Sequence, residues 1–213
     1  MDRRSYWDDV YRTKGPERVS WFQAEARLSR SLIERSAPDR GARIIDVGAG
    51  ASTLVAGLLD AGYRQLTVVD LSSTALALAQ QRLGCAAAQV SWIAGDVLCL
   101  DVSPDAFDLW HDRAVFHFLT QAEDRTRYVA PVRRAVAPGG HVLVATFAED
   151  GPTRCSGLEV ARYSPAALHG EFGPDFRLLA SEREVHITPT GSEQAFTYCL
   201  CRFEPDAQPR AAA

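Results

Sequence analysis

The stretch Arg43-Ile44-Ile45-Asp46-Val47-Gly48-Ala49-Gly50-Ala51-Ser52 decides the fold. Its β-branched run ends at an acid, two glycines follow two positions apart, and an apolar helical pattern begins with Leu54 and Val55. This order predicts a strand, a tight turn and a helix N-terminus. Such a junction presents backbone N–H groups and the positive end of a helix dipole to a ligand.

Downstream, strand and helix alternate. The first helix closes at Gly62, and Leu66-Thr67-Val68-Val69-Asp70 is a buried strand ending in an acid. Ser72 or Ser73 caps a helix with Leu76, Ala79 and Leu83, closed by Gly84. Val90-Ser91-Trp92-Ile93 leads to Gly95-Asp96, and Phe107–His111 leads to Asp112-Arg113. Thr120 and Glu123 predict a capping box for the next helix, which Pro131 should kink or shorten. Pro138-Gly139-Gly140 reads as a turn into a fifth strand, His141–Phe147. After a loop over 149–163, a short helix is expected near Pro165–Phe172. Two extended segments, Arg177–Thr188 and Gln194–Phe203, then follow with no helix between them and should pair antiparallel.

These elements specify an α/β fold. It is a doubly wound, mostly parallel seven-stranded sheet with a C-terminal antiparallel hairpin. Residues 1–40 read as an N-terminal helical lid, 41–204 as the ligand-binding domain and 205–213 as a flexible tail. In such sheets ligands bind at the carboxyl ends of the strands. There the acids collect: Asp46, Asp70, Asp96 and Asp112.

Composition narrows the classes. The 213 residues carry a net charge of −4, against a general nucleic-acid binder. Hydrophobic residues are 46% of the chain, enough for a sizeable core. No apolar run approaches the roughly 20 residues needed to span a bilayer, and Met1-Asp2-Arg3-Arg4 does not open a leader peptide. A cytoplasmic protein, monomer or homodimer, is expected. Lys14 is the only lysine among 23 basic residues, read as the codon bias of a GC-rich, bacterial genome. Five cysteines without zinc-like spacing fit reduced thiols, and no metal is expected. Cys199 and Cys201 should share one face of a strand as small buried residues.

The ordered set of motifs resembles the class I S-adenosylmethionine-dependent methyltransferases over roughly residues 40–203. Asp46-Val47-Gly48-Ala49-Gly50-Ala51-Ser52 matches that family's glycine signature. The resemblance implies S-adenosylmethionine as cofactor, with the Gly48–Gly50 backbone and Ser52 along its methionine part and Asp46 near its ammonium. It also implies Asp70 on the ribose hydroxyls with Leu71 beside it, and Asp96 and Val97 against the adenine. A nicotinamide-binding Rossmann domain is the nearest rival. Its third glycine would fall at Thr53, and the carboxylate of Asp46 suits an ammonium rather than a pyrophosphate.

The acceptor side is less defined. Trp110-His111-Asp112-Arg113-Ala114-Val115-Phe116-His117 is similar to the Asp-Arg segment of thiopurine- and thiol-methyltransferase-like members. That similarity implies Asp112 near the cofactor and Arg113 at the acceptor. Ala114 stands where those relatives have glycine, so a different backbone is expected there. His111 and His117 are candidate bases, since imidazole titrates near neutrality. Tyr6-Trp7-Asp8-Asp9-Val10-Tyr11 and Ser20-Trp21-Phe22 resemble the opening of small-molecule and lysine methyltransferases, which implies Trp7 and Trp21 closing over the cofactor. Cys155 falls in a loop that borders the acceptor in this fold. The expected activity is methyl transfer to a small molecule, a thiol or another soft nucleophile among the options. A protein-lysine acceptor and a non-catalytic cofactor-binding partner subunit are the alternatives.

Overall fold

The computed structural model describes residues 2–205. The expected tail, apart from Pro205, lies outside the described residues. Helix α1 (Arg3–Lys14) starts where the Asp2 carboxylate accepts the N–H groups of Arg4 and Ser5, and it ends at Gly15, whose φ is +75°. Helix α2 (Arg27–Ser36) follows a loop, and strand β1 (Arg43–Val47) carries the chain into the glycine turn. Next come α3 (Leu54–Asp60), β2 (Gln65–Asp70), α4 (Ser73–Leu83), β3 (Val90–Ala94) and β4 (Phe107–Arg113). The chain continues through α5 (Ala122–Ala135), β5 (Val136–Phe147), the short strands β6 (Arg154–Cys155) and β7 (Leu158–Glu159), α6 (Pro165–Phe172), β8 (Phe176–Ile187) and β9 (Glu193–Phe203).

The sheet order is β3-β2-β1-β4-β5-β9-β8. Strands β1 to β5 run parallel, and β9 and β8 add the antiparallel hairpin. The order reverses between β1 and β4, which places the switch point beside the glycine turn. Two apolar cores cover the two faces. One packs Leu32, Leu58, Tyr63 and Phe147 under α2 and α3, and the other packs Trp110, Phe116, Tyr128 and Phe172 under α5 and α6. Cys199 and Cys201 are buried together in the second core, on one face of β9.

Three local expectations need correction. The helix after Thr120 starts at Ala122, so its N-cap is Gln121, which makes no side-chain cap bond. Thr120 lies one residue too early for a capping box, and Glu123 and Asp124 complement the dipole of the first turn instead. Pro131 does not shorten α5, which runs on through it to Ala135, because one missing N–H forfeits a single ladder bond. Pro138-Gly139-Gly140 is a bulge within β5, not a turn before it. Phe107 pairs with Val136 and Leu109 with His141, so the residues between are looped out. A Cβ at Gly140 would come within 2.8 Å of the Ala137 carbonyl oxygen, so only glycine fits the bulge.

Candidate functional site

The turn after β1 is held by close approach. Gly48 and Gly50 adopt φ of +58° and +56°. A Cβ at Gly48 would lie 1.8 Å from Val115 Cγ2, and one at Gly50 would lie 2.0 Å from the Tyr11 hydroxyl. Both positions therefore demand glycine twice, for the dihedral and for the space. The Gly50 N–H donates to Asp70 Oδ2 at 2.7 Å, and the Ser72 N–H donates to Asp70 Oδ1 at 2.7 Å. Burial pushes the Asp70 carboxyl up to about 6, and these two backbone donors oppose that rise. Each Asp70 oxygen keeps lone-pair capacity for a further donor.

Asp46, the last acid of β1, is buried. Its Oδ1 accepts from His111 Nδ1 at 2.6 Å, while Oδ2 has no hydrogen-bond partner. The other ring nitrogen of His111 lies 2.9 Å from Ser29 Oγ on α2. A small cavity of about 40 Å³ opens onto Asp46, Gly48, Ala51, Ser52, His111 and Trp21. Next to it is a chamber of about 410 Å³ at the carboxyl ends of β2, β3 and β4, with α1 as one wall. Asp70, Leu71, Asp96 and Val97 line its floor, and Trp7, Trp21, Arg113 and Phe118 its far side. Gly48, Tyr11, Trp21 and Arg113 face both spaces.

Helix α1 is latched onto this site at two points. Asp8 Oδ1 accepts the Ser72 hydroxyl at 2.6 Å and the Thr74 N–H at 3.0 Å, which makes it a second cap on α4. Burial raises the Asp8 carboxyl, but the bonds from Ser72 and Thr74 outweigh it and leave it below its ordinary value. The Tyr6 hydroxyl donates to the Ser156 carbonyl oxygen. Between the latches, Trp7 packs edge-on against Trp21 and Phe118, with centroids 5.7 and 5.2 Å apart.

The structure gathers Asp46, Gly48, Ser52, Asp70, Leu71, Asp96, Val97, Trp7 and Trp21 around the two adjoining spaces, while Gly50 lines neither and meets the site through its bond to Asp70. It does not gather Asp112. That carboxylate is fully buried and accepts from the Val115 N–H, the Phe116 N–H and the Tyr128 hydroxyl at 3.0, 3.1 and 2.6 Å. It faces neither cavity and organises the loop after β4 from beneath. His117 also falls outside. It is fully buried, its Nδ1 accepts the Phe147 N–H at 3.4 Å, and burial lowers its pKa to about 3. A base that stays neutral and meets no cavity cannot deprotonate a bound acceptor. His111 reaches the small cavity, but both ring nitrogens are committed, so it is not a free base.

Arg113 is the one catalytic candidate that reaches the chamber. Its guanidinium donates to the Tyr198 hydroxyl, the Trp21 carbonyl oxygen and Glu184 at 2.9, 3.1 and 3.4 Å, and lies 4.2 Å from the centre of the Phe196 ring. Cys155 also lines the chamber, and burial pushes its thiol up to about 12. Ala114 keeps the left-handed backbone of a glycine, with φ of +71°, against the expectation of a changed chain path. Tyr11, Asp8 and Glu184 were not legible as site residues. Tyr11 follows Trp7 by one helical turn, which reads equally as a packing face. Among the described residues, no group of three or more His, Cys, Asp or Glu is arranged to hold a metal. No helix of the described residues is long and apolar enough to cross a membrane.

Residues 44–140, which span the glycine turn, Asp70, Asp96 and the Asp112-Arg113 segment, match the family model described as a methyltransferase domain. The chain is similar to an eEF1A lysine and N-terminal methyltransferase of Danio rerio, 28% identical over 148 residues. That match covers 68% of this chain and 21% of the relative. It is also similar to the O-methyltransferase rstn1 of Aspergillus nomiae, 28% identical over 143 residues, covering 66% of this chain and 60% of that one. The chain thus spans about a fifth and three fifths of these two curated relatives. Among solved structures it resembles 1,6-didemethyltoxoflavin-N1-methyltransferase of Burkholderia thailandensis, solved with 1,6-didemethyltoxoflavin and S-adenosylhomocysteine. The TM-score there is 0.68 at 23% identity, covering 94% of this chain and 84% of that one. Residues 44–140 thus match a methyltransferase domain, and the sheet order and glycine turn are those of the Rossmann-like methyltransferase fold.

Proposed function

We propose that this chain transfers a methyl group from S-adenosylmethionine to a small-molecule acceptor bound in the chamber beside Arg113. The observation that carries the reading is the pairing of two adjoining spaces across one glycine turn. The narrow one is lined by Asp46, one of whose carboxylate oxygens has no partner, and the wide one by Asp70 and Asp96. A molecule with an ammonium at one end and a ribose and adenine at the other suits that pair of spaces. Asp46 would receive the ammonium, Asp70 the ribose hydroxyls, and Asp96 with Val97 the adenine edge.

Bound S-adenosylmethionine supplies a methyl on a sulfonium, an electrophile that needs no further activation. The residues of the chain then have three tasks. The turn and Asp70 fix the donor, the aromatic wall of Trp7, Trp21 and Phe118 excludes water, and Arg113 borders the acceptor. The aromatic faces also suit a cationic sulfur. No histidine is placed to serve as a free base, which favours acceptors that arrive deprotonated or are intrinsically nucleophilic. The wall made by α1 favours a small molecule over a protein chain, because Tyr6 and Asp8 fasten that helix across the chamber.

A protein-lysine acceptor is the second reading, favoured by the likeness to the Danio rerio protein. Release of S-adenosylhomocysteine, measured against panels of thiols, amines, phenols and oxyanions and against lysine-containing peptides, separates the two. Turnover on a small acceptor is expected. Turnover on peptides alone would transfer the assignment to the second reading. Tight cofactor binding with no turnover on any acceptor would leave a non-catalytic partner subunit.

A further inference from the structure

The candidate base His111 has another place in the site. An ionised Asp46 can only accept, so the bond between its Oδ1 and His111 Nδ1, at 2.6 Å, requires the proton on Nδ1. In the neutral ring Nε2 is then an acceptor, and Ser29 Oγ at 2.9 Å donates to it. Ser29, His111 and Asp46 are all buried. The three form one line of hydrogen bonds that crosses from α2, through β4, to the end of β1. The line holds one oxygen of Asp46 and leaves the other, Oδ2, buried and without a partner on a residue that lines the small cavity.

A buried carboxylate oxygen with no donor carries a desolvation cost, and on a residue that lines a cavity that cost is relieved by a ligand that donates to it. Without the histidine, the Asp46 side chain would be free to turn and satisfy itself elsewhere. We infer that His111, held by Ser29, is a positioning residue that aims Asp46 Oδ2 at the ammonium of the cofactor's amino-acid end. The role deepens the proposed function and rests on its cofactor assignment. It touches neither the acceptor nor the transferred methyl.

The test compares two ligands by calorimetry on the intact chain. S-adenosylhomocysteine has the amino-acid end, and 5′-methylthioadenosine has the adenosine and sulfur but lacks it. His111→Leu should weaken S-adenosylhomocysteine by roughly tenfold or more, the scale of one hydrogen bond to a charged group. The same variant should leave 5′-methylthioadenosine within about twofold, inside ordinary mutational scatter. His111→Asn, which restores a donor toward Asp46, should recover most of the loss, and Ser29→Ala should show a smaller loss of the same selectivity. Equal weakening of both ligands in a folded variant would mean a merely structural histidine and would overturn the inference. So would unchanged affinity for both. If His111→Leu does not fold, the selectivity of Ser29→Ala decides. A wild-type chain that binds neither ligand would instead remove the cofactor assignment itself.

Discussion

At the scale of single residues, the site is built from side chains whose environments are costly, and the costs show what each is for. Asp70 is a carboxylate kept in a buried position by two backbone donors. Asp70→Ala should weaken S-adenosylmethionine binding by about 1–3 kcal/mol, the scale for lost hydrogen bonds to a charged group. Calorimetry showing unchanged affinity in a folded variant would falsify the ribose assignment. Ala114 holds a dihedral that β-branched residues avoid. Ala114→Gly relieves about 1–2 kcal/mol of backbone strain but loses a buried methyl and gains unfolded-state entropy, so it should stay within about 0.5 kcal/mol of wild type. Ala114→Val should cost about 2 kcal/mol or more, since it adds side-chain crowding to a strained backbone. Urea denaturation of the pair checks this, and a well-tolerated valine would mean the loop relaxes.

His117 gives a pH prediction with a definite sign. Its folded-state pKa of about 3 lies below the ordinary 6.5, so the unfolded chain binds a proton that the folded chain refuses. Its contribution is present above pH 6.5 and is lost as pH falls toward 3, by up to about 1.4 kcal/mol per unit. Asp70 and Asp112, both held up at about 6 by burial, act with the opposite sign between their ordinary 3.8 and 6. The difference between His117→Asn and wild type isolates the histidine. Asparagine can still accept the Phe147 N–H, and the variant should lose less stability on acidification from pH 6.5 to 5. Parallel pH curves would show that His117 charges freely in the folded chain. The sequence marked His117 by residue type alone, and nothing local distinguishes a core imidazole from a catalytic one. Asp112 misled for a related reason. A strand-end acid is equally able to cap the loop that follows it.

At the scale of elements, the parallel strands, their crossover helices and the final hairpin were legible, because period and punctuation agreed along β1 to β5. The Pro138–Gly140 bulge was not, since proline and glycine mark turns and bulges alike and only the partner strand β4 separates them. Helix α1 was legible as amphipathic, but its mode of docking was not. That depends on Asp8 meeting Ser72 and Thr74, more than sixty residues away. Asp8→Ala removes the external cap of α4 at a cost of about 1 kcal/mol, leaving Ser72 as the internal one. Amide exchange in α1 should then quicken while that in β1 and β4 does not change. Equal exchange in α1 of both proteins would show that Tyr6 and the aromatic contacts hold the helix unaided.

At the scale of the whole molecule, the site sits where the two cores meet the switch point. The turn, the end of β2, the loop after β4 and α1 each supply a wall. A ligand that binds only this folded arrangement stabilises all of it. S-adenosylhomocysteine at one hundred times its Kd should add about 2.7 kcal/mol to the unfolding free energy. A thermal melt reads this directly, and an unshifted midpoint at that excess would contradict the cofactor assignment. The glycine turn and the strand-end acids were legible, because motif order dictates their positions. The surroundings of Arg113 were not, since its bonds to Glu184 of β8 and Tyr198 of β9 leave no trace in local sequence.

The Asp8 latch also has a meaning in the time order of folding. During synthesis α1 leaves the ribosome before any of its partners. These are made later: Ser72 and Thr74 with α4, Phe118 after β4, and Ser156 after β5. Contacts of such long sequence separation form after the local ones beneath them. A segment translated before its partners is thus seated after them, and the chamber gains its final wall only once the sheet behind it is complete. In refolding followed by pulsed amide exchange, protection should appear in β1, β2, β4 and β5 before it appears in α1.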